Sequence, residues 1–211
     1  MSARKHDSNY IKLPVPDDSY SFFEIIRIES EKYWVDSIPD KNVYGFQIQQ
    51  NSKWKSGLSE QDIIAFEAAV GITFPSALRN FYQTMNGLTK PGIDLQGSSG
   101  DLPKCYPVFY SFPDDLPAIQ EMIDWVYEST SVKKGDLSVL PVSRIFPIYK
   151  HRFMLIDHPS NPILSMYGND IIYWADCLSK LLANVIFDNI YNVSDFESNP
   201  HSRPTIKFWL D

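Results

Sequence analysis

The chain has 211 residues, of which 44% are hydrophobic and 14% aromatic, and its formal net charge is −7. This composition predicts one folded domain with an extension and excludes a disordered chain. No apolar run approaches the 18 residues of a membrane span, and the N-terminus has no run typical of a signal peptide. Cys105 and Cys177 form no CxxC pair, which indicates reduced thiols in a cytoplasmic protein and argues against a zinc site.

The acidic charge is concentrated in the middle of the chain. Residues 1–56 and residues 131–211 each carry eight basic and eight acidic side chains, so their formal charges cancel. Residues 57–130 carry ten acidic and three basic side chains, which accounts for the whole net charge. Because phosphates would be repelled by this part of the chain, nucleic acid is a poor partner, whereas a basic protein would be attracted.

The chain begins with residues 1–18, which are polar, contain two prolines, and are predicted to form a flexible arm before a domain at residues 19–195. The first predicted helix follows from Ser21, with Asp18 or Ser19 as its N-cap. Its core-facing side chains are expected to be Phe22, Ile25 and Ile26. A strand is predicted next, because strict alternation places three apolar side chains on one face: Tyr44, Phe46 and Ile48.

Two short helices separated by a tight corner are predicted between residues 59 and 87. The first has Ser59 as its N-cap, with Asp62 near the capping-box position, and ends at Gly71. The second follows Pro75, with Ser76 as its cap, and is expected to stop at Asn86-Gly87. Its apolar side chains recur at helical spacing and are expected to face the core: Leu78, Phe81, Tyr82 and Met85. We interpret this corner as a scaffold.

A Gly- and Pro-rich loop is predicted at residues 87–104, and a helix runs from Pro117 to Ser129. One face of this helix is apolar and comprises Ala118, Ile119, Met122, Ile123 and Val126. The opposite face is acidic, with Trp125 at its border, and two further carboxylates lie near the helix N-terminus. We therefore predict a partner-binding surface made of Asp114, Asp115, Glu121, Asp124, Trp125 and Glu128.

The alternative interpretation of these six residues is an ordinary solvated helix face, which is what most charged runs are. The concentration of net charge in this part of the chain favours the partner-binding interpretation. An aromatic ring beside carboxylates also suits a hot spot against a cationic surface.

Beyond Gly135 the alternating pattern predicts four strands within residues 142–174 and a closing helix that begins at Asp176 or Ser179. The turn signal Gly168-Asn169-Asp170 predicts that the last two strands form an antiparallel hairpin. The closing helix is expected to bury Leu178, Leu181, Leu182, Val185 and Ile186. The C-terminal tail, residues 196–211, ends in the apolar run IKFWL and is expected to dock on the domain.

The candidate catalytic and metal-binding residues are isolated in the sequence. Asp157-His158, with His151 nearby, could form a metal or acid–base cluster, but His158 precedes a proline in a turn-like segment, which favours an ordinary loop histidine. Cys177 has no base partner in the sequence. The GSSG run at 97–100 lacks the strand–helix context and the lysine of a phosphate loop. We therefore predict no enzymatic activity, no cofactor and no metal.

Spaced motifs along the chain carry a resemblance to a known family. In the first half they are Tyr44-Gly45-Phe46, Trp54, Gly57-Leu58-Ser59, Phe66-Glu67, Gly71-Ile72, Phe74-Pro75 and Met85-Asn86-Gly87. In the second half they are Pro147-Ile148, Leu155-Ile156-Asp157, Pro162-Ile163 and residues 178–182. Together they resemble the SUKH superfamily, whose founding members are yeast cell-wall-synthesis regulators of the Smi/Knr type. The similarity covers about residues 40–190.

The resemblance implies a single α+β domain in which a mixed, mostly antiparallel sheet is flanked by helices. Many bacterial members are immunity proteins that bind polymorphic toxins, often nucleases, whereas eukaryotic members are regulatory binding proteins. The resemblance supplies no catalytic residues. We therefore expect a non-enzymatic module that neutralises a basic toxin domain by stoichiometric binding. The alternative is a regulatory or scaffold module of the Smi/Knr type without a toxin partner, and the oligomeric state stays open.

Overall fold

In the computed structural model, the described residues are 13–96, 103–133, 135–139, 142–187 and 206–210. Their helices are α1 (Tyr20–Trp34), α2 (Glu60–Val70), α3 (Ser76–Thr84), α4 (Leu116–Ser129), α5 (Asp136–Val139) and α6 (Leu178–Phe187). Their strands are β1 (Trp54–Ser56), β2 (Met85–Leu88), β3 (Gly92–Asp94), β4 (Lys104–Tyr106), β5 (Ile145–Tyr149), β6 (Arg152–Leu155), β7 (Ile163–Tyr167) and β8 (Asp170–Ala175). The predicted α+β fold class is confirmed.

The strands form three antiparallel sheets. The largest is a meander in the order β5-β6-β7-β8, and the two smaller sheets pair β1 with β2 and β3 with β4. Gly168, with a φ of +61°, lies in the turn between β7 and β8, so the predicted hairpin is confirmed. The resemblance implied one mixed sheet, but every described strand pair is antiparallel. Short connections between consecutive strands of the meander allow only this direction.

The N-terminal caps of α1 and α2 follow the predicted chemistry. The Ser19 side chain accepts a hydrogen bond from the Phe22 backbone N–H at 3.1 Å. Ser59 and Asp62 form a reciprocal capping box at the start of α2. Gly71 closes α2 in the left-handed conformation, with a φ of +69°. Each of these devices satisfies backbone groups that a helix end leaves unpaired.

The limits of α3 differ from those predicted. Pro75, rather than Ser76, is the N-cap residue, and no side chain caps the helix. The helix ends at Thr84, and the chain continues directly into β2 instead of stopping at Asn86-Gly87. Pairing with β1 keeps this segment extended. The Asn86 side chain exchanges two hydrogen bonds with the Phe112 backbone, at 2.7 and 2.8 Å.

Three further predictions, about one buried side chain, one strand and one loop, differ from the structure. Ile25 is 36% exposed, and Phe23 takes a place in the core that the sequence pattern did not assign to it. The predicted strand around Tyr44 is absent: Gln47 forms one isolated bridge with Ile93, and Tyr44 is 88% exposed. Part of the predicted loop at residues 87–104 instead supplies β3 and the first residue of β4, and these two strands pair with each other.

The core is built around aromatic rings from the α2–α3 corner. The Phe66 ring contacts four others at centroid distances between 4.6 and 5.8 Å, and these belong to Phe74, Tyr82, Phe112 and Phe146. Glu67 holds the corner by accepting hydrogen bonds from the Phe74 N–H at 2.7 Å and from the Arg79 guanidinium. Because Phe146 lies in β5, the corner is packed rigidly against the main sheet.

Residues near both ends of the chain contact the domain. Leu13 is buried, and the Asp18 carboxylate accepts hydrogen bonds from the backbone and hydroxyl of Ser179 in α6. Near the C-terminus, Trp209 is buried and donates its indole N–H to the Ser143 carbonyl at 3.0 Å. Most of the predicted arm, most of the predicted tail and the GSSG run lie outside the described residues.

Candidate protein-binding surface

Helix α4 has one buried face and one exposed acidic face. Ile119, Ile123 and Val126 are buried, as their helical spacing predicted. Glu121, Asp124 and Glu128 are exposed on the other side, and Trp125 is half-buried between the two faces. We call the three exposed carboxylates the acidic face of α4. None of them forms an ion pair within the described residues.

Asp114 and Asp115 lie immediately before Leu116, the first residue of α4. Asp114 forms a salt bridge with Lys55 at 3.0 Å. Asp115 accepts two hydrogen bonds from Ser111, one from its backbone N–H at 2.8 Å and one from its hydroxyl at 2.6 Å. Asp114 is therefore paired with a lysine of β1, whereas Asp115 is held by a serine in the segment that leads into α4. The predicted six-residue surface divides into four residues on the helix and two at its N-terminal approach.

An aromatic pair borders the acidic face. The Trp125 ring meets the Tyr167 ring edge to face, with centroids 5.2 Å apart. Tyr167, the last residue of β7, is 66% exposed. The His151 ring also contacts Tyr167, with a centroid distance of 5.7 Å. Strand alternation marks Tyr167 only as the end of a strand and does not show which helix lies beside it, so the sequence pattern does not reveal its place in this surface.

A groove of about 340 Å³ lies between the end of α2 and α4, which we call the α2–α4 groove. Its walls are mainly apolar and include Val70, Ile72, Ile123, Val132 and Leu137. Asp124, Glu128 and Arg144 are among its polar lining residues. The groove therefore continues from the acidic face into an apolar cleft that can receive the stem of a long side chain.

Arg144 does not neutralise the carboxylates of this groove, because it is already paired. Its guanidinium binds Asp157 through two hydrogen bonds, at 2.7 and 2.9 Å. This contact raises the pKa of Arg144, and its hydrogen bonds lower the pKa of Asp157. Asp124 accepts a hydrogen bond from the neutral Gln120 amide at 2.9 Å. The charge available to a partner at this rim is therefore negative.

The residues considered for catalysis are not brought together. Asp157 binds Arg144, while His158 lies beside the Ser160 hydroxyl at 3.1 Å. Burial raises the pKa of the Cys177 thiol to about 12, which keeps it protonated and unreactive at neutral pH. Within the described part of the chain, no group of three or more His, Cys, Asp or Glu side chains could hold a metal ion.

The fold, with its α2–α3 corner against a meander sheet and its exposed helix face, is that of a SUKH-type module. The model of the SMI1 / KNR4 family (SUKH-1) matches residues 57–192, and the chain belongs to this family. The match confirms the resemblance carried by the sequence motifs. It includes α4 and its acidic face, whereas α1 and the segment after it precede the matched range.

Comparison with curated proteins and with solved structures returned no match. Among the described residues, no helix has both the length and the apolar character needed to cross a membrane.

Proposed function

We propose that this protein is a non-enzymatic binding module that neutralises a basic toxin domain by docking it on the acidic face of α4. The observation that carries the proposal is the arrangement of Glu121, Asp124 and Glu128, three exposed carboxylates beside an aromatic pair, which form no ion pair with any residue in the described part of the chain. Membership of the SMI1 / KNR4 family (SUKH-1) supports a binding role for the domain.

The two parts of this surface have different roles in the proposed mechanism. The carboxylates attract a cationic partner over distance and speed its encounter. Trp125 and Tyr167 provide ring surface that loses water on contact, and such aromatic anchors supply most of the affinity in protein interfaces. The α2–α4 groove takes a lysine or arginine side chain, with its stem on Val70 and Ile72 and its charge near Glu128.

The test is a triple charge reversal on α4, Glu121→Lys with Asp124→Lys and Glu128→Lys. The partner used in this test is a basic toxin domain encoded by a gene beside this one. We expect the association rate constant at low salt to fall at least about tenfold, and the difference from the wild type to shrink at high salt. An unchanged rate at low salt would remove this face from the interface.

The matched control reverses three carboxylates on and just after α1, with Glu24→Lys, Glu29→Lys and Asp36→Lys. This control changes the net charge by the same amount on another surface. If both triple variants slow association equally, total charge rather than the face of α4 controls the encounter.

The alternative proposal is a regulatory or scaffold module of the Smi/Knr type, which the family match supports equally. Co-expression distinguishes the two. An immunity protein protects cells against the neighbouring toxin domain, and the α4 triple variant loses that protection. A scaffold module gives no protection in either form and instead co-purifies with the subunits of a larger complex.

A further inference from the structure

A second groove, of about 220 Å³, lies away from the α2–α4 groove. It is formed by the segment after α1, by the end of α6 and by the turn between β5 and β6. Its lining includes Ile38, Val43, Tyr44, Lys150, Val185 and Ile186. We call it the Lys150 groove. Most of its lining side chains are aliphatic or aromatic, but polar atoms make up more than half of its exposed surface, and Lys150 is the charged residue among them.

Lys150 is a cation that forms no close ion pair with any residue that the structure describes. Its ammonium nitrogen lies 4.9 Å from the centroid of the Tyr149 ring. Burial, followed by repulsion from Arg152, lowers its pKa to about 8, and Asp94 opposes this only in part. Burying a charge without a close counter-ion disfavours folding. An anion that binds beside the Lys150 ammonium group would offset this cost.

The outer wall of the groove exposes apolar side chains to solvent. Ile38, Val43 and Tyr44 are all exposed, and they lie within seven consecutive residues, so they form one apolar stretch at the surface. This segment precedes residue 57, where the match to the family begins. One wall of the groove therefore comes from residues before the family match. Its floor comes from α6 and the β5–β6 turn, which lie inside the matched range.

We propose that the Lys150 groove docks a segment of a protein partner in which a large apolar side chain stands beside a carboxylate. The apolar side chain enters between Val43 and Ile186, and the carboxylate pairs with Lys150. Pockets for whole small molecules usually measure about 300–1,000 Å³, so a volume of this size suits a single anchoring side chain. The charge of Lys150 selects an acidic segment, in contrast to the basic partner expected at α4.

Two synthetic peptides of identical shape test this proposal: acetyl-Gly-Phe-Asp-Gly-amide and acetyl-Gly-Phe-Asn-Gly-amide. Binding to the full chain is followed through NMR shifts of the methyl groups of Ile38, Val43, Val185 and Ile186. We expect the Asp peptide to bind at least about fivefold more tightly than the Asn peptide, because only the carboxylate can pair with Lys150.

The Lys150→Met variant, which keeps the aliphatic stem, should remove the difference between the peptides while the Asn peptide still binds. The control is Lys53→Met, which removes an exposed lysine outside the groove and should leave the difference unchanged. Raising the pH from 7 to 9.5 should also reduce the preference for the Asp peptide, since Lys150 loses its proton in this range.

Three outcomes would overturn the proposal: equal affinities of the two peptides for the wild type, methyl shifts that occur outside the groove, or an unchanged preference in Lys150→Met. Tighter binding of decanoate than of the Asp peptide would instead assign the groove to a fatty acid. None of these results depends on the toxin partner. The proposal for the Lys150 groove can therefore fail while the proposal for the acidic face of α4 survives, and the second can fail while the first survives.

Discussion

The ring of Trp125 in α4 packs edge to face against the ring of Tyr167 at the end of β7, with centroids 5.2 Å apart. This contact joins the acidic helix to the main sheet. It also places an exposed phenol beside the carboxylates of α4, so one small surface combines long-range attraction with an aromatic anchor.

Trp125→Ala is expected to weaken binding of the toxin domain about 30-fold, which corresponds to about 2 kcal/mol for the loss of a hot-spot ring. The change should appear mainly in the dissociation rate, because the carboxylates that guide the encounter remain. Surface plasmon resonance measures both rates. The control is Trp174→Ala, which removes another partly exposed tryptophan, stacked on Arg152, from β8. Equal losses in the two variants would show that α4 is not the interface.

Lys150 gives a prediction about stability and pH. Its pKa is about 8 in the folded chain and 10.5 in the absence of burial, so the unfolded chain binds more protons between these values. Through this group, the free energy of unfolding of the wild type should therefore increase as the pH rises from 8 to 10.5.

Lys150→Met should lack this contribution and should be more stable than the wild type by about 1–2 kcal/mol at pH 7, because it buries no unpaired charge. Urea unfolding of both proteins between pH 7 and 10.5 measures the difference, which should shrink as the pH rises. A constant difference across this range would contradict the low pKa of Lys150.

Two glycines with the same backbone conformation are expected to differ in their tolerance of a side chain. Gly71 and Gly87 have φ values of +69° and +70°. A Cβ at Gly71 would meet nothing within 4 Å, whereas one at Gly87 would lie 2.7 Å from the Ser111 Cβ and 3.0 Å from its backbone nitrogen.

Gly71→Ala should therefore cost only the left-handed strain of about 1–2 kcal/mol. Gly87→Ala should cost at least about 2 kcal/mol more, since β2 and the segment at Ser111 must also move apart. Thermal and urea unfolding of the pair provide the comparison. If the two variants are equally destabilised, the close approach at Gly87 is not what requires a glycine there.

The capping box of α2 provides a further prediction. Ser59→Ala removes the acceptor for the Asp62 backbone N–H and should lower the free energy of unfolding by about 1 kcal/mol. Ser76 is the first residue of α3, and its side chain does not cap that helix. Ser76→Ala should therefore change the free energy of unfolding by less than about 0.5 kcal/mol. The reverse order would indicate that Ser76 acts as the cap, as its position in the sequence first suggested.

Local patterns in the sequence were sufficient for most helices, for the four strands of the main sheet and for the hairpin of its last two strands. The caps at Ser19 and Ser59 and the closing Gly71 depend on side chains a few residues away, so their chemistry can be read directly. The apolar face of α4 follows from helical spacing in the same way. By contrast, alternation around Tyr44 predicted a strand that does not form, because alternation alone does not supply a neighbouring strand to pair with.

The candidate surface shows the same division. The sequence by itself determined that Glu121, Asp124 and Glu128 share one face of a helix, because a 100° turn per residue fixes their direction. Only the tertiary structure decided that Asp114 pairs with Lys55, that Tyr167 joins Trp125, and that the Lys150 ammonium lies over the ring of Tyr149. These contacts join residues distant in the chain, and their energies depend on packing and burial that local periodicity does not encode.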